Sequence, residues 1–238
     1  EPMTRLLVDD HPSGKPSRFR FKLIKNSPIE GDVRFTGPRY RDGLLEIGPY
    51  ADGQGEALWR LYEPGGDNPL DGSAWSGVII AATGMGKSRV LENLAISAMA
   101  PGNTVVWFLD PQDGASSPAL QEYADWYVGL SGAADMLEAV KRIAKARGIE
   151  NAANGRTGFW PTPERPGLLV IIDECHEVFS NKQMADEWAK LLRKMRKLGI
   201  ALILVSQYSG LETFGNSEAL RSSVMVGYGI VMYTASRT

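Results

Sequence analysis

The stretch of sequence that decides the fold is Val78-Ile79-Ile80-Ala81-Ala82-Thr83-Gly84-Met85-Gly86-Lys87-Ser88. Its first four residues are apolar and predict a short buried strand, and the spacing of apolar residues from Ser88 to Met99 predicts a helix. A glycine-rich turn between a strand and a helix offers backbone N–H groups and a helix N-terminus, which together bind phosphate. The sequence therefore predicts a phosphate-binding loop between residues 81 and 88.

The side chains of this loop suit a nucleoside triphosphate bound with Mg²⁺. A lysine in the position of Lys87 reaches the β- and γ-phosphates, and a serine in the position of Ser88 binds Mg²⁺. We therefore expect Mg²⁺ as cofactor and ATP as substrate, with the nucleotide bound by Thr83, Gly84, Met85, Gly86, Lys87, Ser88 and Arg89. Ala81 stands where such loops usually have a first glycine, and its methyl group fits if the residue has ordinary strand angles.

An acidic pair follows a second apolar run, Leu168–Ile172. Asp173 is predicted to hold Mg²⁺ together with Ser88, and Glu174 to polarise the attacking water. Acidic residues often cap helices instead, so the pair alone is weak evidence. Its combination with a phosphate-binding loop is much stronger evidence for an ATPase.

The apolar runs separated by helical segments predict an α/β fold with a parallel sheet. The runs begin at residues 78, 105, 168, 201 and 226. In a RecA-like P-loop ATPase sheet of order 5-1-4-3-2, the fourth strand lies between the phosphate loop and Asp173. Gln207 follows that strand, so we expect it beside the γ-phosphate, and we predict Glu174, Lys87 and Gln207 as the catalytic residues.

The first part of the chain has a different pattern, with short alternating runs and frequent turns. These runs predict a small antiparallel β-rich region at residues 1–70. We expect residues 71–238, with the phosphate loop and the acidic pair, to form a RecA-like motor domain that is truncated at its C-terminus. The runs are Arg18–Leu23, Val33–Phe35, Leu44–Ile47 and Leu58–Tyr62.

Two helices after the phosphate loop have clear apolar stripes. One is predicted from Asp135 to Arg147, with Gly148 as its stop, and the other from Met184 to Leu198, with Gly199 after it. Opposite the stripe of the second helix are basic residues that could face solvent, DNA or a neighbouring subunit, namely Lys190, Arg193, Lys194, Arg196 and Lys197.

Composition excludes several classes of protein. The chain has 238 residues, 26 Lys plus Arg and 28 Asp plus Glu, so its formal charge of −2 weighs against a monomer that coats nucleic acid. A single cysteine, Cys175, cannot form an internal disulfide and fits a reducing, cytoplasmic compartment. With two histidines in the whole chain, we expect no metal cluster beyond Mg²⁺. No apolar run approaches the roughly 18 residues that a membrane span needs.

Several motifs in order resemble those of the FtsK/SpoIIIE family of DNA-translocating ATPases. Residues 81–88 are similar to its G-T-T-G-S-G-K-S, residues 109–111 to its I-D-P, and residues 171–174 to its V-I-D-E. Residues 197–207 are similar to its A-A-G-I-H-L-I-L-A-T-Q, and residues 234–238 to the end of its V-S-S-K-x-D-S-R-T. The segment 161–167 looks most like actinobacterial conjugative transfer proteins of the TraB type.

The resemblance implies a hexameric ring that moves double-stranded DNA by ATP hydrolysis, in conjugative plasmid transfer or chromosome segregation. It implies self-association, a cytoplasmic motor and a membrane anchor outside this chain, which makes the full-length protein membrane-associated. An arginine acting on a neighbouring subunit's nucleotide is also expected, and the sequence does not choose among Arg193, Arg196, Arg221 and Arg237.

Two other functions share these motifs. Type VII secretion ATPases have the same fold and motifs and handle protein substrates. Asp173-Glu174-Cys175-His176 also reads as the D-E-C-H box of a superfamily 2 helicase, which is the third possibility. The helicase hypothesis is weakened because the sequence lacks the S-A-T motif of that superfamily and has Ser206-Gln207-Tyr208 in its approximate place.

Overall fold

The structure, a computed structural model, describes residues 5–10, 19–25, 27–29, 31 and 33–232. Its centre is a parallel sheet, and short antiparallel strands precede that sheet along the chain. The strands before residue 75 are β1 (Arg5–Asp10), β2 (Phe19–Ile24), β3 (Tyr40–Arg41), β4 (Leu44–Pro49), β5 (Glu56–Arg60), β6 (Tyr62–Glu63) and β7 (Ser73–Ala74).

The central sheet has the strand order β10-β9-β11-β12-β8-β13, with every neighbouring pair parallel. Apart from β10, this order is the predicted 5-1-4-3-2, which is confirmed. The short edge strand β10 was not predicted; its Trp126 packs edge-on against Trp107, with ring centroids 4.7 Å apart. The strands are β8 (Gly77–Ala81), β9 (Thr104–Leu109), β10 (Trp126–Val128), β11 (Gly167–Ile172), β12 (Ile200–Ser206) and β13 (Tyr228–Met232).

Helices cover both faces of the sheet because successive strand residues point to opposite sides. In β11, Leu168, Val170 and Ile172 enter one core with α3, α4, α5 and α6, whereas Leu169 and Ile171 enter a second core with α1 and α2. Among the described residues, no helix combines the length and apolar character that crossing a membrane requires. The helices are α1 (Lys87–Met99), α2 (Pro118–Tyr123), α3 (Ala133–Ala153), α4 (Cys175–Phe179), α5 (Lys182–Met195) and α6 (Glu218–Met225).

Helix α3 continues past Gly148, so its predicted end there is wrong. Arg147 donates from Nη1 to the Leu198 carbonyl oxygen (2.8 Å) and from Nη2 to that of Pro166 (2.6 Å). Asn151, one turn later, donates to the carbonyl oxygen of Gly158 at 3.1 Å. These contacts outweigh the roughly 1 kcal/mol by which a glycine weakens a helix.

Helix α5 and the turn after it agree with the prediction. The helix runs to Met195, a 3₁₀ turn follows at Arg196–Leu198, and Gly199 ends the segment with a φ of 65°. The left-handed conformation at Gly199 is the usual end of a helix. Trp188 and Met195 are buried, while the five basic residues predicted opposite the stripe are all exposed.

The hairpin formed by β4 and β5 packs onto the central sheet. Leu45, Trp59 and Leu61 are buried in the second core, together with Ile79 of β8 and Leu91 of α1. Strands β4 and β5, which belong to the antiparallel region predicted before residue 70, therefore share a core with the sheet. A domain boundary near residue 70 stays a prediction.

Two details of this first region differ from the expectations. Val33–Phe35 does not form a strand. Strand β2 is present, but Phe21 and Leu23 are exposed, so the alternation there does not mark a buried apolar face. Lys22 of the same strand pairs with Asp52 at 2.8 Å, which ties β2 to the tip of the β4–β5 hairpin.

The shared core predicts that Leu45→Ala destabilises the protein by about 2–5 kcal/mol, because it leaves a cavity against the central sheet. Leu58→Ala is the matched control, since Leu58 lies in the same hairpin but is exposed, and its cost should stay below about 1 kcal/mol. Urea denaturation measures both. Equal losses, or no loss for Leu45→Ala, would contradict the shared core.

Candidate nucleotide-binding site

The phosphate loop begins where β8 ends. Ala81 is fully buried and is the last residue of β8, in register with Met232 of β13. Ala81 therefore has an ordinary strand conformation, which an alanine adopts as readily as the glycine that such loops usually have here. Gly84 and Gly86 have φ values of 81° and 86°, a left-handed conformation that favours glycine, and α1 starts at the next residue.

The Lys87 ammonium lies against the acidic pair at the end of β11. Its Nζ is 3.0 Å from Asp173 Oδ1, and it also pairs with Glu174 Oε1. Both carboxylates are almost fully buried. Burial lowers the pKa of Lys87, but the attraction of Asp173 and the hydrogen bond to Glu174 outweigh it and hold that pKa above its ordinary value. The loop and the acidic strand thus form one charged cluster.

Glu174 has an unusual backbone conformation. Its φ is 38° and its ψ 49°, the left-handed region that non-glycine residues seldom adopt. The Glu174 N–H donates to Asp173 Oδ1 at 2.8 Å, which helps to hold the turn into α4. Residues in such conformations cost about 1–3 kcal/mol and cluster at functional sites. The Glu174 carboxylate in this turn is buried and pairs with Lys87.

Gln207 joins the phosphate loop to the acidic pair. Its Nε2 donates to Glu174 Oε1 at 2.9 Å, and its Oε1 accepts a hydrogen bond from the Thr83 hydroxyl at 2.8 Å. This bridge is possible because β12, which precedes Gln207, lies between β8 and β11. The three residues predicted to be catalytic, Glu174, Lys87 and Gln207, are therefore in direct contact or share a partner.

Ser88 contacts a loop that follows β9. Its hydroxyl donates to the carbonyl oxygen of Ser116 at 2.6 Å. That loop is held by Asp110, a buried residue whose Oδ2 accepts from the Ser116 hydroxyl at 2.7 Å and whose Oδ1 accepts from the Gln112 N–H at 2.9 Å. A hydroxyl that donates its proton keeps lone pairs for a further ligand.

The residues around Asp173 suit a Mg²⁺ ion. Asp173 Oδ2 and Glu174 Oε2 are buried and have no hydrogen-bond partner in the structure. A buried carboxylate oxygen without a partner is costly unless a cation or water satisfies it. Mg²⁺ prefers oxygen ligands and usually takes one or two from protein carboxylates. The donor set of Asp173 and Ser88 therefore fits the expected ion.

Four other residues predicted to contact the nucleotide border a cleft. Gly84, Met85, Gly86 and Arg89 line a cleft of about 920 Å³ between the loop and the first part of the chain. The Arg89 side chain is largely exposed and pairs with Glu92 at 2.7 Å. The predicted set is thus divided between a buried charged cluster and an open cleft.

Sequence reasoning gave His176 no role in this site. Its Nδ1 is 3.5 Å from Glu174 Oε2, and its ring packs edge-on against Tyr208, with centroids 5.9 Å apart. Adjacency to the acidic pair was the available signal in the sequence. The neighbouring Cys175 is fully buried, and burial raises the pKa of its thiol.

The candidate arginines for action on a neighbouring subunit have different surroundings. Arg196 lies 3.8 Å above the Trp75 ring and pairs with Glu63 at 3.7 Å. Arg221 pairs with Glu218 at 3.7 Å on α6. Arg193 is exposed on α5. Arg237 lies outside the described residues, as does the 234–238 motif.

Sequence comparison finds one family with a limited match. A family model described as zonular occludens toxin (Zot) matches residues 132–211, less than half of the chain. The matched segment contains the acidic pair and Gln207. Comparison with curated proteins gives no match.

Structure comparison identifies the fold. Similar structures include the cytoplasmic domain of the Thermomonospora curvata type VII secretion ATPase EccC (TM-score 0.60, 20% identity, 79% of this chain and 24% of that one). The pCW3 conjugation coupling protein TcpA, in a monomer form with ATPγS, has a TM-score of 0.60 at 16% identity, over 93% of this chain and 64% of that one. EssC (ATPases 2 and 3) from Geobacillus thermodenitrificans has a TM-score of 0.58 at 16% identity, over 85% of this chain and 40% of that one.

The chain therefore has the RecA-like fold of P-loop ATPases. At identities of 16–20%, these likenesses establish the fold alone. The chain spans less than two thirds of the length of each of these three structures.

The buried cluster predicts that Lys87→Met destabilises the protein by about 3–5 kcal/mol in buffer without nucleotide, because two buried carboxylates lose their cation. Adding Asp173→Asn should recover part of this loss. Lys190→Met is the control, since Lys190 pairs with Glu187 on the exposed face of α5, and should cost less than about 1 kcal/mol. Urea denaturation measures all three variants, and similar losses for both lysines would refute the cluster's role.

Proposed function

We propose that this chain is the motor part of an ATPase that moves double-stranded DNA. The observation that supports ATP hydrolysis best is the contact of Lys87 with the buried Asp173–Glu174 pair, bridged to the phosphate loop by Gln207. Phosphoryl transfer requires a lysine on the phosphates beside acidic residues, and here the loop after β8 and the acidic pair after β11 bring these groups together at one edge of the parallel sheet.

Each residue of the cluster has a distinct role in the proposed reaction. Lys87 binds the β- and γ-phosphates, while Ser88 and Asp173 hold Mg²⁺, which when bound neutralises phosphate charge. Glu174 orients the water that attacks the γ-phosphorus and accepts its proton as the bond to ADP breaks. Gln207, which donates a hydrogen bond to Glu174, contacts the γ-phosphate and couples its binding to the position of β12.

DNA is the substrate that the ordered motifs favour. They resemble those of the FtsK/SpoIIIE family, and TcpA, which has the same fold, is a conjugation coupling protein. The exposed basic face of α5 would grip phosphates without reading bases. The segment 161–167 supports a conjugative transfer protein of the TraB type within this group.

The proposed motor works as a hexameric ring. ATP would lie at subunit interfaces, where an arginine of one subunit reaches the nucleotide of the next. Only the inner surface of such a ring must be basic, so the formal charge of −2 is compatible with DNA in the channel. We propose a cytoplasmic position in a longer, membrane-associated protein; the cytoplasmic position is supported by the similarity to the cytoplasmic domain of EccC.

A type VII secretion ATPase is the second candidate, favoured by the similarity to EccC and EssC. The translocated substrate would then be a protein instead of DNA. The helicase hypothesis has less support. Beyond the phosphate loop, the sequence offers it one motif, Asp173-Glu174-Cys175-His176, and Ser206-Gln207-Tyr208 departs from the S-A-T motif.

The assigned roles predict that Glu174→Gln keeps Mg·ATP binding but lowers ATP turnover by about 10²-fold or more, because the amide cannot accept the proton. Glu177→Gln removes the same charge three residues later and should turn over ATP at the normal rate. Calorimetric binding and phosphate release measure the two properties in the full-length protein. An active Glu174→Gln enzyme would refute its role.

The DNA substrate is tested by ATP hydrolysis of the full-length protein with and without plasmid DNA. We expect stimulation by DNA that weakens as salt rises, because phosphate contacts release counterions. Replacing Arg193 and Lys194 by alanine should reduce the stimulation for every DNA sequence alike. If small secreted helical proteins stimulate hydrolysis and DNA does not, the secretion alternative replaces the DNA motor.

A further inference from the structure

The cleft beside the phosphate loop has three walls. Gly84 to Gly86 and the first turns of α1, including Arg89 and Val90, form one wall, and the segment from Val33 to Arg39 faces it. Strand β4 forms the floor through Ile47 and Gly48. Its volume of about 920 Å³ is that of a site for a small organic molecule.

The cleft adjoins the proposed phosphate site. Gly84 and Gly86 of the phosphate loop line the cleft, and the next residue, Lys87, contacts the acidic pair. Along α1 the cleft continues over Arg89, Val90 and Asn93, beyond Ser88, the proposed Mg²⁺ ligand. If the terminal phosphate of a molecule contacts Lys87, the opposite end of that molecule can therefore extend into the cleft.

The lining of the cleft has apolar and polar parts. Val33 and Phe35 are about half exposed, and Ile47 and Val90 border the second core beneath them. An exposed aromatic ring beside a phosphate-binding loop offers a face on which a flat ring can stack. Polar groups from Thr36, Arg39, Glu46, Glu56 and Asn93 surround this apolar part.

Arg39 holds the outer wall in place. Its backbone N–H donates to the hydroxyl of Ser97, a buried residue of α1, at 3.2 Å. Its guanidinium donates to the Thr36 hydroxyl at 2.8 Å and to Glu46 Oε2 at 3.0 Å. The segment that carries Phe35 is therefore tied both to the phosphate-loop helix and to the hairpin strand β4.

We propose that this cleft binds the base and ribose of the nucleoside triphosphate, with the base stacked on Phe35. The inference rests on the proposed ATP site and adds to it a recognition surface supplied by the first 60 residues. The apolar lining provides the stacking surface, and the surrounding carboxylates are suited to accept hydrogen bonds from ribose hydroxyls. The β-rich region would then select the ligand that the phosphate loop binds.

The test compares two probes on the full-length protein by calorimetry, Mg·ATPγS and Mg·tripolyphosphate, because the second has no base or ribose. Phe35→Ala removes the stacking surface, and Gly48→Leu fills the cleft. A side chain at Gly48 has open space, with no atom within 4 Å of its Cβ. Tyr50→Ala and Gly66→Leu are matched controls, since Tyr50 is an exposed aromatic outside the cleft and Gly66 has the same open space elsewhere.

We expect Phe35→Ala and Gly48→Leu to weaken Mg·ATPγS binding about tenfold, the effect of losing one base stack. Tripolyphosphate binding should stay within twofold of the unaltered protein, which also shows that the variants fold. Both controls should bind each probe normally. Unchanged ATPγS binding, or equal weakening of both probes, overturns the cleft assignment and leaves the ATP site standing. An unaltered protein that binds neither probe overturns the proposed function itself, and this inference with it.

Discussion

The ion pairs of Lys87 with Asp173 and Glu174 are the interaction on which the rest of the site depends. Two carboxylates with almost no solvent contact need a cation, and in this structure the first residue of α1 supplies it. The pairing fixes the end of the phosphate loop against the end of β11, two strands away in the sheet. Gln207, which follows the intervening strand β12, forms hydrogen bonds with both Glu174 and Thr83. A parallel sheet makes this possible because it collects the carboxyl ends of its strands at one edge.

Much of this arrangement follows from the sequence because its causes are local. The run Leu168–Ile172 is apolar at every position, which a strand buried on both faces requires, and it is followed by the acidic Asp173. Gly84 and Gly86 occupy left-handed positions that a turn from strand to helix demands. The order of the strands was predicted from the RecA-like P-loop ATPase sheet, and in that order the loop, the acidic pair and Gln207 meet at one edge. The chemical roles of these residues remain predictions.

Other features depend on contacts between distant segments, which no local pattern reveals. Helix α3 passes Gly148 because Arg147 and Asn151 bind carbonyl oxygens far along the chain. The three-residue strand β10 exists through its pairing with β9. The β4–β5 hairpin enters the second core through Leu45 and Trp59. The segment from Val33 to Arg39 forms a cleft wall, and no strand forms at Val33–Phe35, where one was expected. Through these contacts, the first part of the chain becomes a neighbour of the phosphate loop.

The account's central claim is that the Lys87 cluster is where the triphosphate and Mg²⁺ bind. A crystal structure of the protein with Mg·ATPγS tests this claim most directly. It should show the Lys87 ammonium on the β- and γ-phosphates, Mg²⁺ beside Ser88 and Asp173, and Glu174 facing the γ-phosphorus. Lys87 still paired with both carboxylates, with the nucleotide bound elsewhere, would contradict the claim.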